Sequence, residues 1–204
     1  MNRLFEHTNS TIAYYDAHAD EFCAKTVVLD MSQLYAPFLE EIPPGGRILD
    51  LGCGSGRDSL AFLQRDYRVV SIDASAAMVA ATSKLTGQTA MVVTFDEIPF
   101  DTEFDGIWAS ASLLHVSRRD LGAAFDRLTR ALKHGGVLYV SFKYGDAERF
   151  EHGRFFNDMN EALLHSYLTN QPQLKLLRNW ITDDIRSERS GVRQWLNATV
   201  KRCG

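Results

Sequence analysis

The 204 residues of the chain predict an α/β fold built around a mostly parallel β-sheet. From residue 47 onward, short β-rich runs alternate with segments of helical periodicity, which is typical of successive βαβ units. The run 104–109 is mostly apolar, as expected of a parallel strand covered by helices on both faces. A chain of this length buries most of its apolar surface without disulfides or metals, so we expect a single domain over residues 1–204.

Composition and charge argue against several functional classes. The net charge of −4 and the pI near 5.9 are unlike those of general nucleic-acid or membrane-surface binders. Cys23, Cys53 and Cys203 are scattered and form no CxxC pair, so we expect neither a disulfide framework nor a structural zinc site. No signal sequence and no run of about 18 apolar residues is visible, so we expect a cytoplasmic protein without a membrane span. The sequence indicates no particular oligomeric state.

The first 45 residues are predicted to form a helical cap over the carboxyl ends of the strands. Tyr14, Tyr15, His18 and Phe22 fall on neighbouring helical turns. A second apolar helix face follows and ends at the pair Pro43-Pro44.

Residues 46–145 are predicted to form the ligand-binding core of five strands and the helices between them. Ser75 is a candidate N-cap and Gly87 a candidate stop of the second helix. The third helix has apolar residues at i, i+3 and i+4 spacing and is expected to end at His134-Gly135-Gly136. The predicted strands are residues 47–51, 68–72, 90–93, 104–109 and 137–142, and the first two helices are residues 58–65 and 75–84.

Residues 146–204 are predicted to complete the domain with a loop, a helix and a final hairpin. The connection 143–156 is interpreted as a loop, and a helix is expected over 157–169. Two strands, 174–181 and 194–200, follow it. The connection between them is too short for a helical crossover, so the sequence predicts that they pair antiparallel.

The stretch ILDLGCGSGRD, residues 48–58, joins the first strand to the first helix through three alternating glycines. Gly52, Gly54 and Gly56 allow a sharp turn and the close approach of a ligand to the backbone. The spacing differs from the GxGxxG pattern of dinucleotide-binding turns, because Arg57 stands at the third glycine position.

Two carboxylates indicate which ligand the glycine turn binds. Asp50 precedes the first glycine, where a carboxylate repels a pyrophosphate and favours an ammonium group. Asp73 ends the second strand, where a carboxylate accepts hydrogen bonds from ribose hydroxyls. S-adenosylmethionine, a nucleoside with an aminoacyl end, meets both requirements and is the predicted cofactor.

Several ordered motifs over about residues 45–145 resemble those of class I S-adenosylmethionine-dependent methyltransferases. ILDLGCGSG is similar to their first motif, and SIDAS with Met78 is similar to their second. FDEIPF and FDGIWAS are similar to the end of their third strand and to their fourth strand. ALKHGGVLYVSF is similar to the segment that leads into and forms their fifth strand. The resemblance implies a Rossmann-like seven-stranded sheet of order 3-2-1-4-5-7-6, with strand 7 antiparallel, helices on both faces and an N-terminal helical lid. GCGSGRDSL and FKYG resemble tellurite-resistance-type small-molecule methyltransferases.

The resemblance also implies that the loop after the third strand brackets the adenine. Thr94 stands where many members have an acid, so Asp96 or Glu97 is the candidate contact of the adenine amino group. Turn carboxylates and a small buried cysteine remain alternative interpretations of the residues around the glycines. The predicted cofactor-binding residues are Asp50, Gly52, Cys53, Gly54, Gly56, Arg57, Asp73, Ala74, Met78, Phe95, Asp96, Glu97 and Ser110.

Three residues are candidates for the methyl-transfer end of the site. His115, in ASLLHVS, is the candidate general base, since the resemblance implies that its loop borders the methyl group. Tyr14, with its neighbour Tyr15, is a candidate contact of the cofactor or acceptor. Arg154, in SFKYGDAERFEHGRFF, is a candidate acceptor contact. Their alternatives are a packing histidine, an aromatic seam under the cap and a solvated loop. Arg186 is a further candidate to reach the pocket, and no metal ligands are expected.

The sequence therefore predicts a methyltransferase that acts on a small molecule by in-line displacement. The sulfonium of the cofactor already activates the methyl group, so a strong base is optional. Methylation of RNA or protein is an alternative, supported by the basic residues in 174–204. A non-catalytic cofactor-binding module is an alternative of another class, whereas Asp50 disfavours a dehydrogenase.

Overall fold

A computed structural model of the protein describes residues 3–185 and 194–203, with side chains from residue 9 onward. The helices are α1 (Arg3–Ala17), α2 (Ala19–Thr26), α3 (Ser32–Leu39), α4 (Arg57–Leu63), α5 (Ala76–Thr86), α6 (Arg118–Ala131) and α7 (Glu161–Thr169). The strands are β1 (Arg47–Leu51), β2 (Arg68–Asp73), β3 (Met91–Val92), β4 (Phe104–Ala109), β5 (Leu132–Lys143), β6 (Glu148–Glu151), β7 (Arg154–Asn157), β8 (Leu174–Asp183) and β9 (Gln194–Arg202).

Seven of these strands form one sheet in the order β3-β2-β1-β4-β5-β9-β8. Strands β1 to β5 pair in parallel, whereas β9 runs antiparallel to both β5 and β8. The α/β fold, the strand order and the antiparallel last strand are thus confirmed, with β8 and β9 as the predicted sixth and seventh strands. The carboxyl ends of β1, β2 and β4 meet along one edge, where ligands bind in sheets of this kind.

Helix α5, beside this edge, has the predicted N-cap and the predicted stop. The hydroxyl of Ser75 accepts a hydrogen bond from the backbone N–H of Met78 at 3.2 Å, which caps α5. Gly87 ends the same helix with a φ of +72°, in the left-handed region that glycine adopts without strain. The middle of α5 packs against the glycine turn, where Thr82 Oγ1 donates to the carbonyl oxygen of Gly54 at 2.9 Å.

The connection after β5 contains a hairpin, and the prediction of a loop over 143–156 is wrong there. Strands β6 and β7 pair antiparallel as a separate two-stranded sheet. His152 and Gly153 join them with φ values of +51° and +79°, which suits a two-residue hairpin turn. Each strand is only four residues long and mixes charged residues with phenylalanines. Such a short period-two pattern does not stand out in a sequence.

The largest differences from the predicted boundaries lie at the start of α7 and at the junction of α6 and β5. Helix α7 begins at Glu161 rather than at 157, because the side chain of Asn160 accepts from the N–H of Leu163 at 3.0 Å and caps it. Helix α6 ends at Ala131, before the predicted stop at His134-Gly135-Gly136. Strand pairing with β4 continues back to Leu132 and draws this stretch into β5.

Apolar side chains fill both faces of the sheet. Neighbouring residues Ile107 and Trp108 of β4 belong to different clusters, as alternation along a strand requires. The cluster beneath α3 is largely aromatic, and the rings of Trp108 and Tyr139 stack in it with centroids 3.8 Å apart. The larger cluster packs α6 and α7 against the other face. The packed sheet is the rigid base of the ligand-binding edge.

Helices α1 and α2 form the predicted N-terminal lid. Helix α1 contacts both α5 and β7. The carboxylate of Asp16 in α1 accepts hydrogen bonds from the hydroxyl of Ser75 at 2.5 Å and the N–H of Ala77 at 3.1 Å. The hydroxyl of Thr11 accepts from the N–H of Phe155 at 3.1 Å. Within residues 3–185 and 194–203, no helix has the length and apolar character needed to cross a bilayer.

Candidate functional site

A cleft of about 2360 Å³ lies between the lid, the carboxyl edge of the sheet and the hairpin β6–β7. Small-molecule sites typically occupy about 300–1,000 Å³, so this cleft has room for two ligands side by side. The candidates His115, Tyr14 and Arg154 line it, and so do most of the predicted cofactor residues, namely Gly52, Cys53, Gly54, Arg57, Asp73, Ala74, Met78, Phe95, Asp96, Glu97 and Ser110. Asp50 and Gly56 are not among the lining residues.

The three glycines of the turn have different physical roles. All have positive φ, at +73° for Gly52, +54° for Gly54 and +80° for Gly56. A Cβ on Gly52 would lie 2.5 Å from the Cβ of Ser112, and one on Gly56 would lie 2.9 Å from the Cα of Thr82. These two positions let the turn pack against its neighbours. A Cβ on Gly54 would meet no side chain closer than 3.6 Å, so the backbone there faces open cleft.

Asp73 is fixed at the mouth of the turn by backbone hydrogen bonds. Its Oδ2 accepts from the N–H of Gly54 and its Oδ1 from the N–H of Ser75, both at 2.9 Å. Each carboxylate oxygen has a further lone pair with which to accept from a ligand. Burial raises the pKa of Asp73, and the backbone N–H groups oppose that shift. This arrangement is suited to binding a pair of ribose hydroxyls.

Asp50 lies beneath the turn rather than in the cleft. Its side chain is only 2% exposed, and its Oδ2 accepts from the hydroxyl of Ser59 at 2.6 Å. Burial raises the pKa of Asp50, and the nearby carboxylate of Asp58 adds to the shift. A direct contact between Asp50 and the ammonium group of the ligand does not agree with this geometry. The physical reason is the strand pleat, which turns Asp50 toward Ser59 and Ser71, whose hydroxyls are 2.7 Å apart.

Arg57 and Asp58 form a largely buried pair at the start of α4, not a surface pair. The Nε of Arg57 donates to Asp58 Oδ1 at 2.6 Å, and its Nη2 donates to Oδ2 at 2.9 Å. The hydroxyl of Tyr35 and the indole N–H of Trp108 also donate to Asp58, at 2.6 and 2.8 Å. The pair therefore brings a rigidly held guanidinium to the cleft, where a contact with the methionine carboxylate stays a prediction.

Cys53 is a small buried residue of the turn rather than a nucleophile. It is 7% exposed and accepts a hydrogen bond from Thr82 Oγ1 at 3.3 Å. Burial raises the pKa of its thiol, which disfavours the reactive thiolate. Glu97 accepts from the hydroxyl of Thr94 at 2.7 Å, and both Asp96 and Glu97 are exposed at the cleft wall. Either carboxylate remains a candidate for the adenine amino group.

Ser112 is a lining residue that the sequence did not reveal. Its Oγ is buried without a hydrogen-bond partner among the described residues, directly beside Gly52. It follows Ala111, which has a φ of +51°, an uncommon conformation for a residue with a side chain. A buried, unpaired hydroxyl in a ligand cleft is available to a ligand. The parallel pairing of β4 with β1 brings Ser112 next to the glycine turn, so no local pattern of the sequence reveals this neighbour.

His115 lies on a short 3₁₀ turn, Leu113–His115, and is held from two sides. Its Nδ1 lies 2.7 Å from the carbonyl oxygen of Phe155, and its Nε2 lies 2.9 Å from the hydroxyl of Tyr15. A carbonyl only accepts, so Nδ1 bears the proton and Nε2 accepts from Tyr15. The pKa of His115 is lowered to about 4, chiefly by burial; the positive charges of Arg154 and Lys143 add to this shift, and the Phe155 hydrogen bond opposes it. The imidazole is therefore neutral at pH 7, with Nε2 directed at the lid.

Tyr15, not Tyr14, is the lid tyrosine bonded to the candidate base. Tyr14 stacks on His18 with ring centroids 4.2 Å apart and lies under Arg154, whose guanidinium carbon is 4.3 Å from the ring centre. Burial raises the pKa of Tyr15, opposed by Arg154. Adjacent helical residues point about 100° apart, and sequence alone does not show which of them faces the sheet. Arg186 lies outside the described residues, and no cluster of metal-ligating side chains occurs in the part of the chain described here.

Similar proteins were found by sequence. A family model described as a methyltransferase domain matches residues 48–136. An uncharacterized methyltransferase of Staphylococcus carnosus is 27% identical over 177 residues, covering 82% of this chain and 85% of that protein. A ubiquinone biosynthesis O-methyltransferase of Bradyrhizobium is 33% identical over 102 residues, covering 48% of this chain and 40% of that protein. The latter alignment thus spans less than half of either protein.

Solved structures share the fold at low sequence identity. The 1,6-didemethyltoxoflavin-N1-methyltransferase of Burkholderia thailandensis, with bound 1,6-didemethyltoxoflavin and S-adenosylhomocysteine, has a TM-score of 0.80 and 18% identity, covering 100% of this chain and 92% of that one. The magnesium protoporphyrin IX methyltransferase of Synechocystis with bound S-adenosylmethionine has a TM-score of 0.70 and 17% identity, covering 93% and 94%. These likenesses concern the fold. The resemblance to tellurite-resistance-type enzymes stays a prediction.

Proposed function

We infer that the chain belongs to the class I S-adenosylmethionine-dependent methyltransferases, and on that premise we propose that it methylates an oxygen or nitrogen atom of a small molecule. The observation that carries the proposal is the continuity of the cleft, which runs from Asp73 to the hydrogen-bonded pair of Tyr15 and His115. The named activities of the ubiquinone and toxoflavin relatives, which concern small molecules, support the same acceptor class.

The residues present suit the cofactor in three respects. The carboxylate oxygens of Asp73 are oriented toward the cleft for the ribose hydroxyls, and Gly54 leaves room for close approach. The unpaired hydroxyl of Ser112 and the guanidinium of Arg57 are available to the aminoacyl end. When bound, S-adenosylmethionine supplies a methyl group that its sulfonium makes electrophilic. The remaining task of the chain is to orient an acceptor and remove its proton.

Tyr15 and His115 form the proposed route for that proton. The acceptor passes its proton to the Tyr15 oxygen while the Tyr15 hydroxyl gives its own proton to His115 Nε2. The bound cofactor would supply the methyl group for the new bond to the acceptor lone pair, and its sulfur would keep the electron pair of the carbon–sulfur bond. The carbonyl of Phe155 then holds the Nδ1–H of the resulting imidazolium. General-base assistance of this kind contributes about 10²–10⁴-fold to a rate.

The basic residues in 174–204 were the support for an RNA acceptor. Carboxylates of the N-terminal cap neutralise some of them. Arg178 lies 3.5 Å from the carboxylate of Glu40, and Lys201 lies 3.0 Å from that of Glu41. Ion pairs of this kind reduce the positive field that an RNA backbone needs. This observation favours the small-molecule acceptor over RNA.

Two measurements test the proposal. Calorimetry measures binding of S-adenosylmethionine, and mass spectrometry then follows S-adenosylhomocysteine formation with a panel of phenols, catechols and aromatic N-heterocycles. We expect micromolar cofactor binding and product with at least one acceptor class. A protein that binds the cofactor but methylates no member of the panel is the binding module instead, and one that does not bind the cofactor refutes the proposal. The Asp126→Asn variant, with its change on an exposed face of α6, is the matched control.

A further inference from the structure

Arg154, the first residue of β7, presents a cation inside the acceptor end of the cleft. Its guanidinium carbon lies 4.3 Å from the ring centre of Tyr14 and 5.2 Å from that of Phe156. The ring centre of Tyr15 is 5.8 Å away. The Nε of Arg154 is buried and has no hydrogen-bond acceptor among the described residues. Aromatic faces attract a guanidinium but do not accept its in-plane hydrogen bonds, and the polar neighbour of Arg154 is the hydroxyl of Tyr15.

The two carboxylates nearest Arg154 in the sequence, Glu151 and Asp158, are paired with other cations. Asp158 pairs with Arg149. Glu151 lies 3.5 Å from Arg149 and 3.4 Å from Lys143. Within the described part of the chain, no carboxylate forms an ion pair with Arg154. A half-buried cation that lacks a counter-ion is unfavourable on its own, and an anionic ligand removes that cost.

We propose, building on the small-molecule acceptor above, that the acceptor is a flat aromatic ring with a carboxylate group and that Arg154 binds this carboxylate. The planar guanidinium donates two parallel hydrogen bonds to a carboxylate, which fixes both position and orientation. The rings of Tyr14, Tyr15 and Phe156 form the walls that suit a flat molecule. Arg154 thereby sets which face of the ring approaches His115.

The charge of Arg154 also links acceptor binding to the base. Arg154 and Lys143 both lower the pKa of His115, whose hydroxyl neighbour is Tyr15. A carboxylate on Arg154 offsets this effect and makes His115 a stronger base when the acceptor is in place. The carboxylate therefore contributes to proton removal as well as to binding.

The test uses the full chain saturated with S-adenosylhomocysteine and three pairs of probes. Each pair differs only in charge: 4-hydroxybenzoate and its amide, 3,4-dihydroxybenzoate and its amide, and 6-hydroxynicotinate and its amide. Calorimetry should show the carboxylate of at least one pair binding about tenfold to a hundredfold more tightly than its amide, the range for hydrogen bonds to charged groups. Equal affinities within every pair, or no binding of any carboxylate, overturn the proposal.

Variants of Arg154 assign the preference to this side chain. Arg154→Gln should reduce the preference to within about twofold, and Arg154→Lys should retain part of it because the charge remains. Arg130→Gln, on the exposed surface of α6, should leave the preference unchanged. Two results would contradict the assignment: a carboxylate preference that survives in Arg154→Gln, or a preference that Arg154→Lys loses together with thermal stability. Either result would indicate that Arg154 only holds α1 against the hairpin. Failure of S-adenosylhomocysteine to bind to the unmodified chain would instead refute the proposed function.

Discussion

Removing the carboxylate of Asp73 is expected to weaken binding of S-adenosylhomocysteine by about 30- to 150-fold. Asp73 has one backbone N–H on each oxygen, which leaves each oxygen able to accept one ribose hydroxyl. Hydrogen bonds to charged groups contribute about 1.5–3 kcal/mol each. Water that enters the space left by Asp73→Ala recovers part of two such bonds, so a net loss of about 2–3 kcal/mol is expected.

Calorimetry on the folded variant measures this loss directly. Asp73→Ala also removes acceptors from Gly54 and Ser75, so its thermal midpoint must be measured beside its affinity. Asp73→Asn keeps the shape but turns one oxygen into a donor facing a backbone N–H, so it should lose a similar amount. Asp126→Asn removes an exposed carboxylate and should bind as the unmodified chain does. Affinity within threefold of the unmodified chain in a folded Asp73→Ala protein would refute the ribose assignment.

Three further perturbations have expected outcomes. In urea denaturation, Gly56→Ala should lower the free energy of unfolding by at least about 2 kcal/mol, because its Cβ would lie 2.9 Å from the backbone of α5. Gly87→Ala, with similar φ but nothing within 4 Å, should lose only about 1 kcal/mol. The free energy of unfolding should fall by about 3 kcal/mol as the pH drops from about 6.5 to 4, because the folded state keeps His115 neutral while the unfolded state protonates it. In His115→Gln, the free energy of unfolding from urea denaturation should depend less on pH over this range. With an identified acceptor, Tyr15→Phe should lower kcat at least tenfold and leave the KM for the cofactor unchanged in a product-release assay.

Each of these three predictions has a result that would contradict it. Equal losses in the two glycine variants would show that the close contact is relieved by a small shift of α5. A pH profile that stays the same in His115→Gln but changes in the exposed His134→Gln would place the titrating group elsewhere. An unchanged kcat in Tyr15→Phe would remove Tyr15 from the proton route.

Sequence reasoning predicted the sheet, and most of the residues it assigned to the cofactor line one cleft. The strand order followed from the family resemblance of the motifs, whereas the glycine turn lies within one βαβ unit and Asp73 ends a strand that is recognisable by itself. Asp50 was misplaced because a strand motif does not reveal which way the pleat turns one side chain. Tyr15 was passed over for Tyr14, since the rotation of α1 is set by distant contacts with His115 and β7.

The hydrogen bonds of α1 reach across most of the chain. Tyr15 and His115 are separated by 100 residues, and Thr11 and Phe155 by 144. Contacts between such distant segments form late, because the intervening chain must first be ordered. During synthesis, the acceptor side of the cleft therefore stays incomplete until residue 155 has left the ribosome. Helix α1 is therefore among the last elements to find its place, and this side of the cleft is assembled only after β7 has formed.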